Sequence, residues 1–272
     1  MSSIPREAWV KKMNARKSTK NAAKPAGKAK VGKLTPADKK TIEDLVAANR
    51  ILYAQSVLDG YGHVSARHDS NPDRFWLSRG MAPGLVTAGD IMEFDLDGDA
   101  VDAGGRTVFL ERFIHGEIYK ARPDVMSVVH THSPGVIPFS VSQVKLQPMF
   151  HSAAFLAAGV PVWEIRGEFG ETNMLVDNPA RGKSLAQMLG DKSVVLMRGH
   201  GDVTVGPSAK VAVFRAYYTD VNARLQSQAI ALGGDINYLT PGEGAKADAI
   251  NFAVIDRIWN LWKMRIAPSL AK

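Results

Sequence analysis

The chain has 272 residues, 45% of them hydrophobic and 22% charged, the composition of a globular protein with mass enough for a full hydrophobic core. It contains no cysteine, so disulfides and thiolate ligands are excluded, any metal must be held by histidine and carboxylate, and a reducing, cytoplasmic setting fits. No apolar run approaches the roughly 18–20 residues that cross a bilayer, and the net charge of +7 is local, because residues 1–34 carry ten Lys or Arg against the single acid Glu7 while the rest sums to −2.

That basic segment, 1–34, reads as a flexible N-terminal arm ahead of a single domain over 35–272. Only Trp9 interleaves its charges, so a solvated tail or an arm laid over a neighbouring subunit is preferred to a nucleic-acid binding element. It has no apolar stretch of the kind a secretory signal needs.

The domain opens at Thr35-Pro36-Ala37-Asp38, where an N-cap threonine, proline at the first helical position and an acid in the first turn predict a helix start. Ile42, Leu45, Val46, Ile51 and Leu52 supply its buried stripe, with the helix expected to run to Gly60. Short strands are predicted at 63–67, 74–78 and 91–95. A helix follows over 111–121, stopped before Pro123, then a strand at 126–130 and a short helix at 152–158 closed by Gly159. A strand is expected at 160–165 and a helix opening at Asn178-Pro179. Residues 194–197 and 203–205 read as a hairpin-type pair around His200. Ser208 caps a long helix to about 232, and one Trp-bearing helix is expected over 243–264. Helices alternate with strands, but the links are often too brief for regular crossovers. The expected fold is therefore α/β, a mixed and largely antiparallel sheet between helical layers.

The chemistry concentrates in four residues. His130 and His132 form an H-x-H in a strand, and side chains two apart on a strand face the same way, so both imidazoles can meet one cation with little strain. His200, in Arg198-Gly199-His200-Gly201, can add a third ligand from a distant loop and leave coordination positions open, which is the pattern of a catalytic site. Glu111 opens Glu111-Arg112-Phe113-Ile114-His115, where it can act as an acid or simply favour the positive end of a helix. His115 shares its helical face and suits packing or support of a ligand better than ligation.

With these stretches in order, the sequence resembles the class II aldolase/adducin family. The matching pieces are Tyr61-Gly62-His63-Val64-Ser65-Ala66-Arg67, Glu111 to Tyr119, Ala121-Arg122-Pro123-Asp124-Val125 leading to His130-Thr131-His132-Ser133-Pro134, and Arg198-Gly199-His200-Gly201. The resemblance implies an α/β/α sandwich and a divalent ion held by His130, His132 and His200, zinc first, with manganese, iron or cobalt open. It also implies Glu111 as acid/base, and a homotetramer with sites between subunits. His151 and Tyr217 are the alternative proton donors.

Two departures bear on the substrate. The Ser-Ser pair that precedes the glutamate in the family's sugar-phosphate aldolases is here Phe109-Leu110, and their Gly-Asn-Val-Ser turn is Gly62-His63-Val64-Ser65. A phosphate must be met by several donors, and Phe-Leu supplies none from its side chains. An apolar wall with His63 and Arg79 nearby suits a flat, hydrophobic carboxylic acid. The stretches Leu110 to Glu117 and Met197 to Gly201 resemble the family's decarboxylases of hydroxylated aromatic acids. The expected substrate-contact set is thus His63, Arg79, Phe109, Leu110, His151 and Tyr217, in an enzyme of aromatic-compound catabolism. Retro-aldol cleavage of a non-phosphorylated hydroxy-carbonyl compound and a non-catalytic adducin-like scaffold are the alternatives.

Overall fold

Thr35 caps the first helix, α1 (Pro36–Ala54), through a reciprocal capping box with Asp38. The computed structural model describes residues 34–270, so the arm expected at 1–34 lies, apart from Leu34, outside the described residues. The helix stops at Ala54, short of the expected Gly60, because Ser56 takes a left-handed φ of 58° that no helix continues.

The strands β1 (His63–Arg67), β2 (Arg74–Ser78), β3 (Ile91–Asp95), β4 (Ser127–Thr131), β5 (Val162–Trp163), β6 (Val194–Met197) and β7 (Gly201–Gly206) form one sheet in the order β3-β2-β1-β4-β7-β6-β5. Every neighbouring pair is antiparallel except β5 with β6, so the sheet is mixed and largely antiparallel, with helices on both sides. The strand expected over 160–165 shrinks to two residues. Pro161 has no N–H to give the sheet, and a turn of helix, α4 (Arg166–Phe169), begins just after Ile165.

Alternation along β1 and β4 decides where the chemistry sits. Val64, Ala66 and Val129 pack with α1, with α6 (Ala209–Leu232) and with Trp259 and Trp262 of α8 (Ile255–Leu270). Val128 packs on the other face with Ile114 and Ile118 of α2 (Phe113–Ala121) and with Leu185 and Leu189 of α5 (Pro179–Leu189). His63, Ser65 and His130 therefore point into the α2 side. The single helix expected at 243–264 is two helices, α7 (Pro241–Ala253) and α8, broken at Val254, whose φ and ψ of −111° and 10° leave the helical range.

Candidate metal centre

Cross-strand pairing of His63 with His130, and of Thr131 with Asp202, brings β1, β4 and the β6–β7 turn together at one end of the sheet. His132 leaves β4 immediately after Thr131, and Gly199, at φ 64°, turns the chain so that His200 faces it. The fourth group arrives from a one-turn 3-10 helix, Leu110–Arg112, ahead of α2, where Glu111 adopts φ −90° and ψ 19°.

One ligand atom from each of Glu111, His130, His132 and His200 lies within 4.8 Å of all the others. The His132 Nε2 atom is 3.2 Å from that of His130 and 3.0 Å from that of His200. Imidazole nitrogens roughly 2.0–2.1 Å from one zinc ion stand about 3.3 Å apart in a tetrahedron and about 2.9 Å apart at right angles, so the observed spacing suits a shared cation. The tautomers agree. His130 and His200 each donate from Nδ1 to a backbone carbonyl, of Asp202 at 3.1 Å and of Met174 at 3.0 Å, which turns the Nε2 lone pairs inward.

The charges agree as well. Burial alone would raise the Glu111 carboxyl, but the neighbouring His130 and His200 take it far below the usual carboxylate range. Its ion-pair partners among the described residues are those two histidines, at 3.6 and 3.5 Å, and no Lys or Arg is among them. Burial, then the neighbouring His130 and His200, brings His132 down to about 4. A buried carboxylate facing three imidazoles is a donor set suited to a divalent cation.

Behind the ligands, Thr131 donates to Asp202 Oδ1 and Thr204 donates to Oδ2 at 2.9 Å, and burial pushes the Asp202 carboxyl up to about 6 despite these bonds. Gly201 makes this approach possible: a Cβ there would sit 1.9 Å from the Thr131 carbonyl oxygen. Gly201→Ala should therefore cost about 1–3 kcal/mol as an overpacked contact and weaken metal retention by parting His200 from His132. Thermal melting with metal analysis checks this, and wild-type values for both would contradict it.

Residues 43–227 match the Class II Aldolase and Adducin N-terminal domain. The chain belongs to the class II aldolase/adducin family. Decarboxylase tropJ of Talaromyces stipitatus is 34% identical over 244 residues, covering 81% of this chain and 92% of the relative. The 3,4-dihydroxyphthalate decarboxylase of Arthrobacter keyseri is 31% identical over 218 residues, covering 75% and 84%. Among solved structures, an aldolase II superfamily protein from Pseudomonas syringae shares the fold with a TM-score of 0.71 at 24% identity, covering 87% of this chain and 96% of that one. With such relatives, this member of the family is an enzyme of the lyase class.

Beside the histidines lies a cavity of about 570 Å³. His63, Phe109, Leu110, Glu111 and His132 line it, with Tyr61, Met81 and Leu175, and no Lys or Arg among the described residues does so. Three expected contacts lie elsewhere in the single chain. Arg79 adjoins the lining segment Gly80-Met81-Ala82, but its Nε is held by Asp90 Oδ1 at 2.7 Å. His151 is exposed, with its backbone carbonyl accepting from Asn251. Tyr217 packs edge-on against Trp262 at 5.2 Å in the α1 layer.

Some contributors carry no signal in residue type. The loop before α5 supplies Met174 O to His200 and Val176 N to Glu111 Oε1 at 2.9 Å through its backbone alone. Tyr61, 69% exposed at the cavity mouth with its ring 6.0 Å from that of His132, opens the family-like stretch Tyr61 to Arg67, yet nothing in that stretch assigns it a role.

Proposed function

We propose that the chain is a divalent-metal-dependent, non-oxidative decarboxylase of a hydroxylated aromatic carboxylic acid, and that it works as a homotetramer. The observation that carries the substrate class is the cavity wall. Phe109, Leu110, Met81 and Leu175 make it apolar, and no Lys or Arg among the described residues lines it to meet a phosphate. The relatives named as decarboxylases support the same direction. Among the described residues no helix is long and apolar enough to cross a membrane, which agrees with a small dissolved substrate.

His130, His132 and His200 would hold the ion, zinc, manganese, iron or cobalt, with Glu111 beside it. When bound, the ion supplies Lewis-acid stabilisation of negative charge on an ortho oxygen of the substrate. The apolar wall receives the flat face of the ring and strips water from it. In the reaction the bond from ring carbon to carboxylate breaks, CO₂ departs, the electron pair stays on the ring, and one proton returns to that carbon. Glu111, ionised in the free site, would take the proton of the ortho hydroxyl as the substrate binds and return it to that carbon, its Oε1 accepting from Val176 N–H while Oε2 faces the cluster. His151 and Tyr217, set away from the cavity, have no such position within one chain.

A panel of hydroxybenzoates, carboxylated catechols, hydroxy-carbonyl compounds and sugar phosphates, followed for CO₂ and for aldehyde, tests the reading. CO₂ from a hydroxyaromatic acid is the expected result. Aldehyde from a non-phosphorylated compound would support retro-aldol cleavage instead, turnover of a sugar phosphate would refute the cavity reading, and no turnover of any compound by metal-loaded protein would favour a scaffold.

A further inference from the structure

Behind the cavity wall a line of buried polar groups runs away from the cluster. His63 Nδ1 is 2.6 Å from His115 Nε2, His115 Nδ1 is 2.6 Å from Ser65 Oγ, and Ser65 Oγ is 2.7 Å from the Tyr119 hydroxyl. His115, Ser65 and Tyr119 are at most 1% exposed and His63 is 3% exposed. Polar groups this deep are costly unless each is satisfied, so the line has one consistent arrangement of hydrogens.

Its direction is set at the far end. Ser65 Oγ is the one hydrogen-bond partner of the buried Tyr119 hydroxyl among the described residues, and a buried O–H without an acceptor is costly, so the phenol proton goes to Ser65. Ser65, having accepted, donates to His115 Nδ1. His115 is neutral, with burial holding it down to about 3, so its one proton sits on Nε2 and goes to His63 Nδ1. His63 Nδ1 accepts that proton and so carries none of its own, which leaves the ring uncharged with its one proton on Nε2. The one hydrogen bond of the ring among the described residues is at Nδ1, and His63 lines the cavity. The ring stands 4.4 Å from Phe109 and 5.2 Å from His130, centre to centre, beside both the apolar wall and the metal cluster.

We propose that Tyr119, Ser65 and His115 are positioning residues that hold His63 as an uncharged Nε2–H donor for the carboxylate of the substrate. On the hydroxyaromatic-acid reading above, on which this rests, His63 is then the residue that tells the acid from its decarboxylated product. A neutral donor suits a group that must lose its charge: an Arg or Lys here would hold the ground-state carboxylate harder than the departing CO₂ and so raise the barrier. Ser65 and Tyr119 do not touch the cavity, and their effect is exerted only through the ring orientation and tautomer of His63.

The test uses the full zinc-loaded chain and two probes that differ only in the carboxylate, 2,3-dihydroxybenzoate and catechol. The wild type should prefer the acid by roughly tenfold or more, the size of a hydrogen bond to a charged group. His63→Phe should collapse that preference with catechol affinity and zinc content unchanged, and His63→Gln, which restores an N–H near the same place, should recover most of it. His115→Phe should reduce the preference and His115→Gln should restore it. An undiminished preference in His63→Phe, or equal loss of both probes, would overturn the assignment. Wild-type protein that holds zinc but binds neither probe would instead refute the hydroxyaromatic-acid reading itself. An imidazole ¹⁵N spectrum of the unaltered protein gives an independent readout: His63 and His115 should both be neutral and protonated on Nε2, and an Nδ1-protonated or charged His63 would end the proposal.

Discussion

Replacing His132 with alanine should give a folded protein that keeps no divalent ion and shows no turnover. Removing a group that merely orients a ligand costs about 10–100-fold in metal affinity, and His132 contributes its own nitrogen 3.0 and 3.2 Å from the other two. The choice of His132 over His130 matters. His130 is fully buried and donates to the Asp202 carbonyl, so His130→Ala would also open a cavity and orphan a buried acceptor. His132 sits past the end of β4 and is partly exposed, and no backbone acceptor holds its Nδ1 among the described residues. Metal analysis after dialysis, a melting curve and the CO₂ assay together decide it. An active, metal-free His132→Ala enzyme would leave the cluster without its assigned role.

Much of this arrangement was legible beforehand because it rests on short-range rules. Two residues apart on a strand share a face, which puts His63 with Ser65 on the α2 side and Val64 on the other. Thr35, Asn178 and Ser208 announced their helices through side chains that accept from the first turn. The same rule was available at Thr240-Pro241-Gly242-Glu243, a capping box that starts α7 two residues before the expected position. What escaped depends on long-range placement. Its place beside Gly80 in a loop suggests Arg79 as a substrate contact, and nothing local tells that Asp90, eleven positions on, holds its guanidinium. Tyr217 is on a long helix whose facing depends on packing against distant elements, where its ring meets Trp262. Met174 and Val176 act through backbone atoms, which every residue type has, so no reading of side chains could single them out.

Glu111→Gln should separate holding the ion from moving the proton. The amide has nearly the shape of the acid, and its oxygen can still accept from Val176 N–H at the place Oε1 now occupies, so the 3-10 turn ahead of α2 should stand. The three histidines remain, and with them the metal. What disappears is the proton that a carboxyl can carry, a contribution worth on the order of 10²–10⁴ in rate. The expected phenotype is therefore kcat lower by 10²-fold or more, with metal content near that of the wild type and binding of the carboxylated probe retained. A role confined to the helix end would look different: melting would shift by the few tenths to 1 kcal/mol typical of a charge near a helix N-terminus, while kcat stayed close to normal. The carboxylate is buried among His130 and His200 and turned toward the cavity, away from open solvent, which favours the first outcome. A near-normal rate in Glu111→Gln would move the proton donor to another group, and Tyr61 at the cavity mouth is then the first to replace, since among the described residues its hydroxyl is the remaining titratable side chain on that wall besides the histidines.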